Sequence, residues 1–231
     1  MNTGKKNTIV ITLDGPSGSG KGTLSQLVAK RLGFHLLDSG ALYRLVALSA
    51  VQQSANINDE IAVAKIAASL DVTFDVHGDT PRALLNTQDV TADIRREDIG
   101  MNASLVAAYP LVRAALLQRQ KDFAQAPGLV ADGRDMGTTV FPDASVKIFL
   151  TASAEARAER RYKQLQQKGA SVNMEELVKD IKARDERDTN RAVSPLVPAA
   201  DAMLLDSTSL TIEQVLETIL AKVNNVVDVA K

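Results

Sequence analysis

TIVITLDGPSGSGKGT, residues Thr8 to Thr23, decides the fold. Its first half, Thr8 to Asp14, is a nearly continuous apolar and β-branched run, as expected of a strand buried on both faces in a parallel sheet. Its second half, Gly15-x4-Gly20-Lys21, lets the backbone curl at glycines so that successive N–H groups point inward. It then leads into a helix whose N-terminus adds partial positive charge. Lys21 supplies a full charge. Strand, glycine loop and helix in this order predict a phosphate-binding loop rather than a glycine-rich turn. One position is unusual. Gly22 follows Lys21 where the common loop carries a hydroxyl for magnesium, and the hydroxyl arrives one residue later, at Thr23.

Outward from the loop the pattern alternates. A helix from Lys21 places Leu24, Leu27, Val28 and Leu32 on one face and ends at Gly33. His35 to Asp38 reads as a short strand and Ala41 to about Ser54 as a helix. Further strands are expected at GLVAD (Gly128–Asp132), VKIFL (Val146–Leu150) and MLLD (Met203–Asp206), with helical patterns between them. The last helix opens with Thr211 and Gln214 at capping-box spacing. The fold class is therefore α/β: a five-stranded parallel sheet with helices on both faces. One segment breaks the rhythm. Asp71 to Val76 alternates, and short strand candidates follow at Ala83–Leu85 and Gln88–Val90. They predict a small antiparallel insert over 66–105, dividing a core of 1–65 and 106–231. Tyr109-Pro110 then breaks the chain before a helix from Leu111 to about Ala124.

Composition narrows the function. The 231 residues carry a net charge of −1, so nothing favours nucleic acid or an anionic membrane as a partner. Aromatics are 3%, too few for base-stacking platforms. There is no cysteine, which removes disulfides, thiolate metal sites and a cysteine nucleophile. His35 and His77 are the two histidines, and neither has a second ligand at metal spacing. No stretch approaches a membrane span, so the expectation is a cytoplasmic protein, and with no obvious apolar strip left uncovered a monomer is expected.

Three further stretches are rich in chemistry. LLDSGALYR (Leu36–Arg44) sets Ser39 and Gly40 at a helix start, with Arg44 one turn in. GLVADGRDMGTTVFPDA (Gly128–Ala144) crowds Asp132, Arg134 and Asp135 at the end of the third core strand, where open α/β sheets bind ligands. IKARDERDTNRAVSPLVPA (Ile181–Ala199) spaces Arg184, Arg187 and Arg191 along one helical stripe.

Taken together, these stretches resemble the bacterial cytidylate kinases over essentially the whole chain. The loop variant GxxxxGKGT is similar to that of nucleoside monophosphate kinases in general, while ADGRDMG and RDTNR are far more specific. The resemblance implies a phosphate-loop kinase core, an inserted monophosphate-binding domain at 66–105 and a short helical lid at about 155–172. It implies transfer of the γ-phosphate of ATP to CMP or dCMP, with Mg2+. By position, Gly15, Pro16, Ser17, Gly18, Ser19, Gly20, Lys21, Gly22 and Thr23 would hold ATP, and Thr23, largely through water, the magnesium. Arg44, Arg134 and Arg191 resemble the residues that grip the acceptor's phosphate. Ser104, Arg113 and Asp135 resemble the cytosine readers, Asp188 the partner of the sugar hydroxyl, and Ser39 a further acceptor-site residue. Asp132 stands where the family keeps an acid near the reacting phosphates, and Arg157, Arg160 and Arg161 resemble the lid. Lys21, Asp132, Arg134, Arg157 and Arg161 are thus the expected catalytic set. A related kinase acting on UMP, AMP or a non-nucleotide acceptor stays open on the residues alone. A nucleotide switch is disfavoured, because no Asn-Lys-x-Asp guanine reader occurs.

Overall fold

The apolar run becomes β1 (Ile9–Asp14), and the glycine loop delivers the chain into α1 (Lys21–Leu32), closed by Gly33 in the left-handed conformation. These elements come from a computed structural model, which describes residues 8–75, 82–167, 169 and 172–226. There follow β2 (His35–Asp38), α2 (Ser39–Gln52), α3 (Glu60–Ala68), β3 (Val72–Asp75), β4 (Arg82–Leu85), β5 (Gln88–Asp89), α4 (Glu97–Val106) and α5 (Pro110–Lys121). The chain continues through β6 (Gly128–Gly133), β7 (Val146–Thr151), α6 (Ala154–Gln167), α7 (Met174–Asn190), β8 (Met203–Asp206) and α8 (Ile212–Val226). Two compact units result, Met1–Asp38 with Lys121–Lys231, and Ser39–Gln120.

The first unit holds the expected parallel sheet, in the order β2-β6-β1-β7-β8. β1 is central and buried on both faces, which is why its sequence is apolar without alternation. Ile11, Leu13, Ile148 and Leu150 form the core with Leu24 and Val28 of α1 and Val215, Ile219 and Val223 of α8. Register then does the functional work. Leu13 stands beside Asp132 and Asp14 beside Gly133, while Asp38 of β2 stands beside Asp132. Three carboxylates thus reach the carboxyl ends of adjacent strands, next to the glycine loop.

The second unit is built on α2, whose Leu42, Leu45, Val46 and Ala47 are all fully buried. The small antiparallel sheet β3-β4-β5 pairs Val72 with Leu85 and Leu84 with Asp89. A two-residue turn at Asn86 and Thr87, both at positive φ, joins β4 to β5 as a tight hairpin demands. This unit reaches beyond the 66–105 segment, because α2 packs along α4. α3, missing from the sequence reading, starts at an Asp59 cap whose side chain accepts from Ala62 N–H. Val76 and His77 lie outside the described residues. Among the described residues no single helix is long and apolar enough to cross a membrane.

Candidate active site

The loop between β1 and α1 depends on three glycines at positive φ: Gly15 (+151°), Gly18 (+78°) and Gly20 (+95°). At Gly15 the need is also steric, since a Cβ there would stand 2.1 Å from the Leu150 carbonyl oxygen of β7. Gly20 caps α1 without a side-chain hydrogen bond, and no acid lies in the first turn. The helix start therefore keeps its amides for an outside acceptor, which suits an anion. Lys21 Nζ donates to the Pro16 carbonyl at 3.1 Å. The carbonyls of Ser17 and Ser19 accept from Arg157 and Arg160.

Asp132 accounts for the displaced hydroxyl. A Cβ at Gly22 would come within 3.3 Å of Asp132 Oδ2, so the residue after Lys21 is glycine where a carboxylate crowds it. Burial pushes the Asp132 carboxyl up to about 7, helped by Asp38 and opposed by Lys21. Burial likewise pushes the Lys21 ammonium down to about 8, opposed by Asp132. Asp14, at the end of β1, accepts from the Met136 and Gly137 N–H groups, each at 2.8 Å. It thereby caps a single π-helical turn, Met136–Val140, and burial still raises its carboxyl to about 6. Irregular turns of this kind recur at functional sites.

Beyond the strand ends the arginines are paired. Arg134 Nε donates to Asp188 of α7, with the two side chains 15% and 5% exposed. Arg191, just past α7, lies 3.8 Å from Asp135 and donates through Nε to the Ser194 carbonyl. Burial pushes the Asp188 carboxyl up, but Arg134, Arg184 and Arg191 outweigh it and bring it below the usual range. The structure thus brings Lys21, Asp132, Arg134, Asp135, Asp188 and Arg191 together in the first unit. It adds Arg184, whose charge acts on both Lys21 and Asp188. The expected stripe of Arg184, Arg187 and Arg191 is corrected in one member. Arg187 is exposed, and its place on the inner face is taken by buried Asp188. A 3.6-residue period favours 184, 188 and 191, and that spacing was the signal available in the sequence.

α6 contributes two of its three arginines to the loop. Arg157 is buried against the loop's carbonyl side and ion-pairs with Asp185 of α7. Arg160 donates to Ser19 and to Ser207. Arg161 is half-buried and donates to Gln164 Oε1 at 3.4 Å. Thr23 is exposed in the first turn of α1. Among the described residues no group of three or more His, Cys, Asp or Glu could hold a metal ion. His35 Nε2 bonds to the Ala126 carbonyl at 2.9 Å, a structural tie.

The other expected residues lie in the second unit. Ser39 Oγ donates to Gln120 Oε1 at 2.6 Å. Arg44 donates to the Ile94 carbonyl at 2.7 Å and lies against Gly100, where a Cβ would stand 2.9 Å from its Nη2. Arg113 is buried, donates to the Ala107 carbonyl at 3.1 Å and stacks 5.6 Å from the Tyr43 ring centroid. Ser104 is half-buried on α4.

Residues 11–225 match the family model described as cytidylate kinase. A cytidylate kinase of Aeromonas salmonicida (strain A449) is 58% identical over 212 residues, covering 92% of each chain. One from Saccharophagus degradans is 61% identical, covering 92% of this chain and 96% of the relative. A third, from Pasteurella multocida (strain Pm70), is 56% identical over 96% of this chain and 98% of its own.

Proposed function

The chain belongs to the cytidylate kinase family, and on that premise we propose that it transfers the γ-phosphate of ATP to CMP or dCMP by direct in-line displacement. The products are ADP and CDP or dCDP, and the reaction belongs to pyrimidine nucleotide metabolism. The observation that carries the mechanism is one juxtaposition: a phosphate loop with Lys21 and Asp132 beside it, and Arg134 and Arg191 each held by a buried acid.

The chemistry asks for little covalent help. A phosphate monoester has its second pKa near about 6, so the acceptor oxygen is already mostly ionised at neutral pH and no general base is required. The barrier is the approach of two anions, about 4 kcal/mol for two unit charges about 4 Å apart at an effective dielectric of about 20. Loop amides and Lys21 offset the donor's charge. Arg44, Arg134 and Arg191 are assigned to the acceptor's phosphate, because a planar fork binds it through paired bonds. Such an arginine can contribute a factor of about 10³–10⁵ in phosphoryl transfer. Asp135, with Ser104 and Arg113, is assigned to cytosine, whose exocyclic amine donates where uracil presents a carbonyl. Asp188 is assigned to the sugar hydroxyl, Ser39 to the acceptor and Arg161 to the lid.

Mg2+ fits the donor set offered. Magnesium commonly takes one or two protein oxygens and keeps water and phosphate for the rest, so the lack of a multi-residue cluster among the described residues is no obstacle. Asp132 and Thr23 are the oxygens that would hold it, and it would neutralise charge on the donor phosphates. We assign 66–105 to monophosphate binding and 155–172 to a lid, and take the enzyme to act as a cytoplasmic monomer. A coupled ADP-release assay across all nucleoside monophosphates tests the reading. CMP and dCMP should turn over fastest, and faster turnover of UMP or AMP would overturn it.

A further inference from the structure

Arg157 stands on the outer side of the phosphate loop, although its sequence position suggested a lid cation. It is 3% exposed. Nε donates to the Ala152 carbonyl at 3.0 Å, and Nη1 donates to the Ser17 carbonyl at 3.0 Å and to Asp185 Oδ1 at 2.9 Å. Nη2 donates to the other Asp185 oxygen. The stem presses on the loop as well, since a Cβ at Gly18 would lie 3.3 Å from Arg157 Cβ. The guanidinium is thus committed to two carbonyls and a carboxylate.

A trans peptide is planar, with its C=O and N–H on opposite sides. A carbonyl of Ser17 drawn toward Arg157 therefore turns the Gly18 N–H the other way, toward the hollow of the loop. Arg160 repeats the arrangement two residues on, donating to the Ser19 carbonyl at 3.1 Å and so directing the Gly20 N–H. A cation on a carbonyl also polarises that peptide and strengthens its N–H as a donor. Asp185 grips the Arg157 fork in two places and lies three residues before Asp188, which holds Arg134.

We infer that Arg157, braced by Asp185, is a positioning residue. It fixes the Ser17–Gly18 peptide so that the Gly18 N–H faces the donor's phosphates, and it does not itself touch them. The inference deepens the kinase reading and rests on it.

The test uses the full chain as wild type, Arg157→Lys, Asp185→Asn and the double variant. ATP affinity is measured by calorimetry without acceptor, CMP affinity separately, kcat at saturating ATP, and thermal unfolding for each protein. Either single change is expected to weaken ATP binding about 10-fold, in proportion to one charge-assisted hydrogen bond. CMP affinity should stay within about threefold in both, and kcat at saturating ATP within about threefold in Asp185→Asn. The double variant should bind ATP no worse than Arg157→Lys alone, because both changes break one linkage. The inference is overturned if Asp185→Asn leaves ATP affinity unchanged or tightens it while Arg157→Lys lowers kcat, as for a direct phosphate ligand. It is equally overturned if ATP and CMP affinities fall together with the melting temperature. Should Arg157→Lys not fold, Asp185→Asn, at a partly exposed carboxylate, decides alone. Failure of the kinase reading is separate: wild type that binds ATP but does not phosphorylate CMP would sink that reading, while the ATP-affinity arm still decides the role of Arg157.

Discussion

Gly22 offers the sharpest test of how this loop differs from the common one. Replacing it by alanine adds a methyl group 3.3 Å from Asp132 Oδ2. Gly22 lies inside α1, so the backbone itself is not strained by the change, and helix propensity alone would favour it by up to about 1 kcal/mol. The carboxylate must retreat by a few tenths of an ångström. Asp132 and Lys21 interact through their charges, and for charges about 5 Å apart a retreat of about 0.3 Å weakens that attraction by about 0.2 kcal/mol at an effective dielectric of about 20. Each contribution is at most about 1 kcal/mol and they oppose one another, so the melting temperature should move by less than about 4 °C. Turnover responds differently. A displacement of about 1 Å at reacting groups can cost about 10²-fold, so a few tenths should cost about 10-fold. Gly22→Ser should be slower still, although it restores the hydroxyl of the common loop, because its Oγ adds a second atom against Asp132. The assay is ADP release over a magnesium titration, paired with thermal unfolding. Wild-type turnover and unchanged magnesium dependence in both variants would refute the claim that Asp132 occupies the space the glycine leaves.

Gly15→Ala meets the Leu150 backbone oxygen at 2.1 Å on a strand paired on both sides, so it should lose more than about 3 kcal/mol by chemical denaturation, unlike Gly22→Ala. Arg134→Ala should cut kcat with CMP by about 10³-fold while ATP affinity stays within about threefold, and an equal loss of ATP affinity would contradict the division of roles. Asp135→Ala should reduce the preference for CMP over UMP by about 10²-fold or more, read from the kcat/KM ratio. Asp132 has a folded pKa near 7, above its ordinary value, so the stability of its neutral form is present at low pH and lost as pH rises toward 7. The unfolding free energy of Asp132→Asn minus that of wild type should therefore increase from pH 5 to pH 7.5, and a flat difference would count against the raised pKa.

Much of the fold was legible because its signals are local. β1, the loop, β2, the later core strands and α8 each carry their own period or cap within one short window. α3 carried a weak one, nine residues with a single Asp59 cap, and escaped. The site was legible as residue types, less as geometry. Asp14 looked like the last residue of an apolar strand, because its partners at Met136 and Gly137 are 122 and 123 residues away. Arg157 fell at helical spacing with Arg160 and Arg161, which fixes a helix face but not what that face meets. Its neighbours, Ser17 and Asp185, come from segments 140 residues before and 28 after. The arginine stripe misled for a related reason. Matching charge drew attention to Arg187, whereas the inner face joins two arginines to an acid, Asp188.

That acid points to a rule for the whole site. Asp132 acts on Lys21, Asp188 holds Arg134, Asp135 faces Arg191 and Asp185 holds Arg157. Cations gathered this closely and buried this deeply would repel one another and resist leaving water, and a chain of net charge −1 has no surplus to offset that elsewhere. Each acid makes one buried cation tolerable, and at Arg134 and Arg157 it also fixes the direction of the guanidinium fork. The pairing also limits what net charge can do for binding, because the local field is already balanced. What the site presents to a phosphate is then oriented donors more than bulk positive charge. Orientation is the quantity an in-line transfer needs, since donor and acceptor must meet along one axis. The carboxylates around the loop are therefore part of the phosphate-handling machinery, although none of them would be chosen to bind an anion.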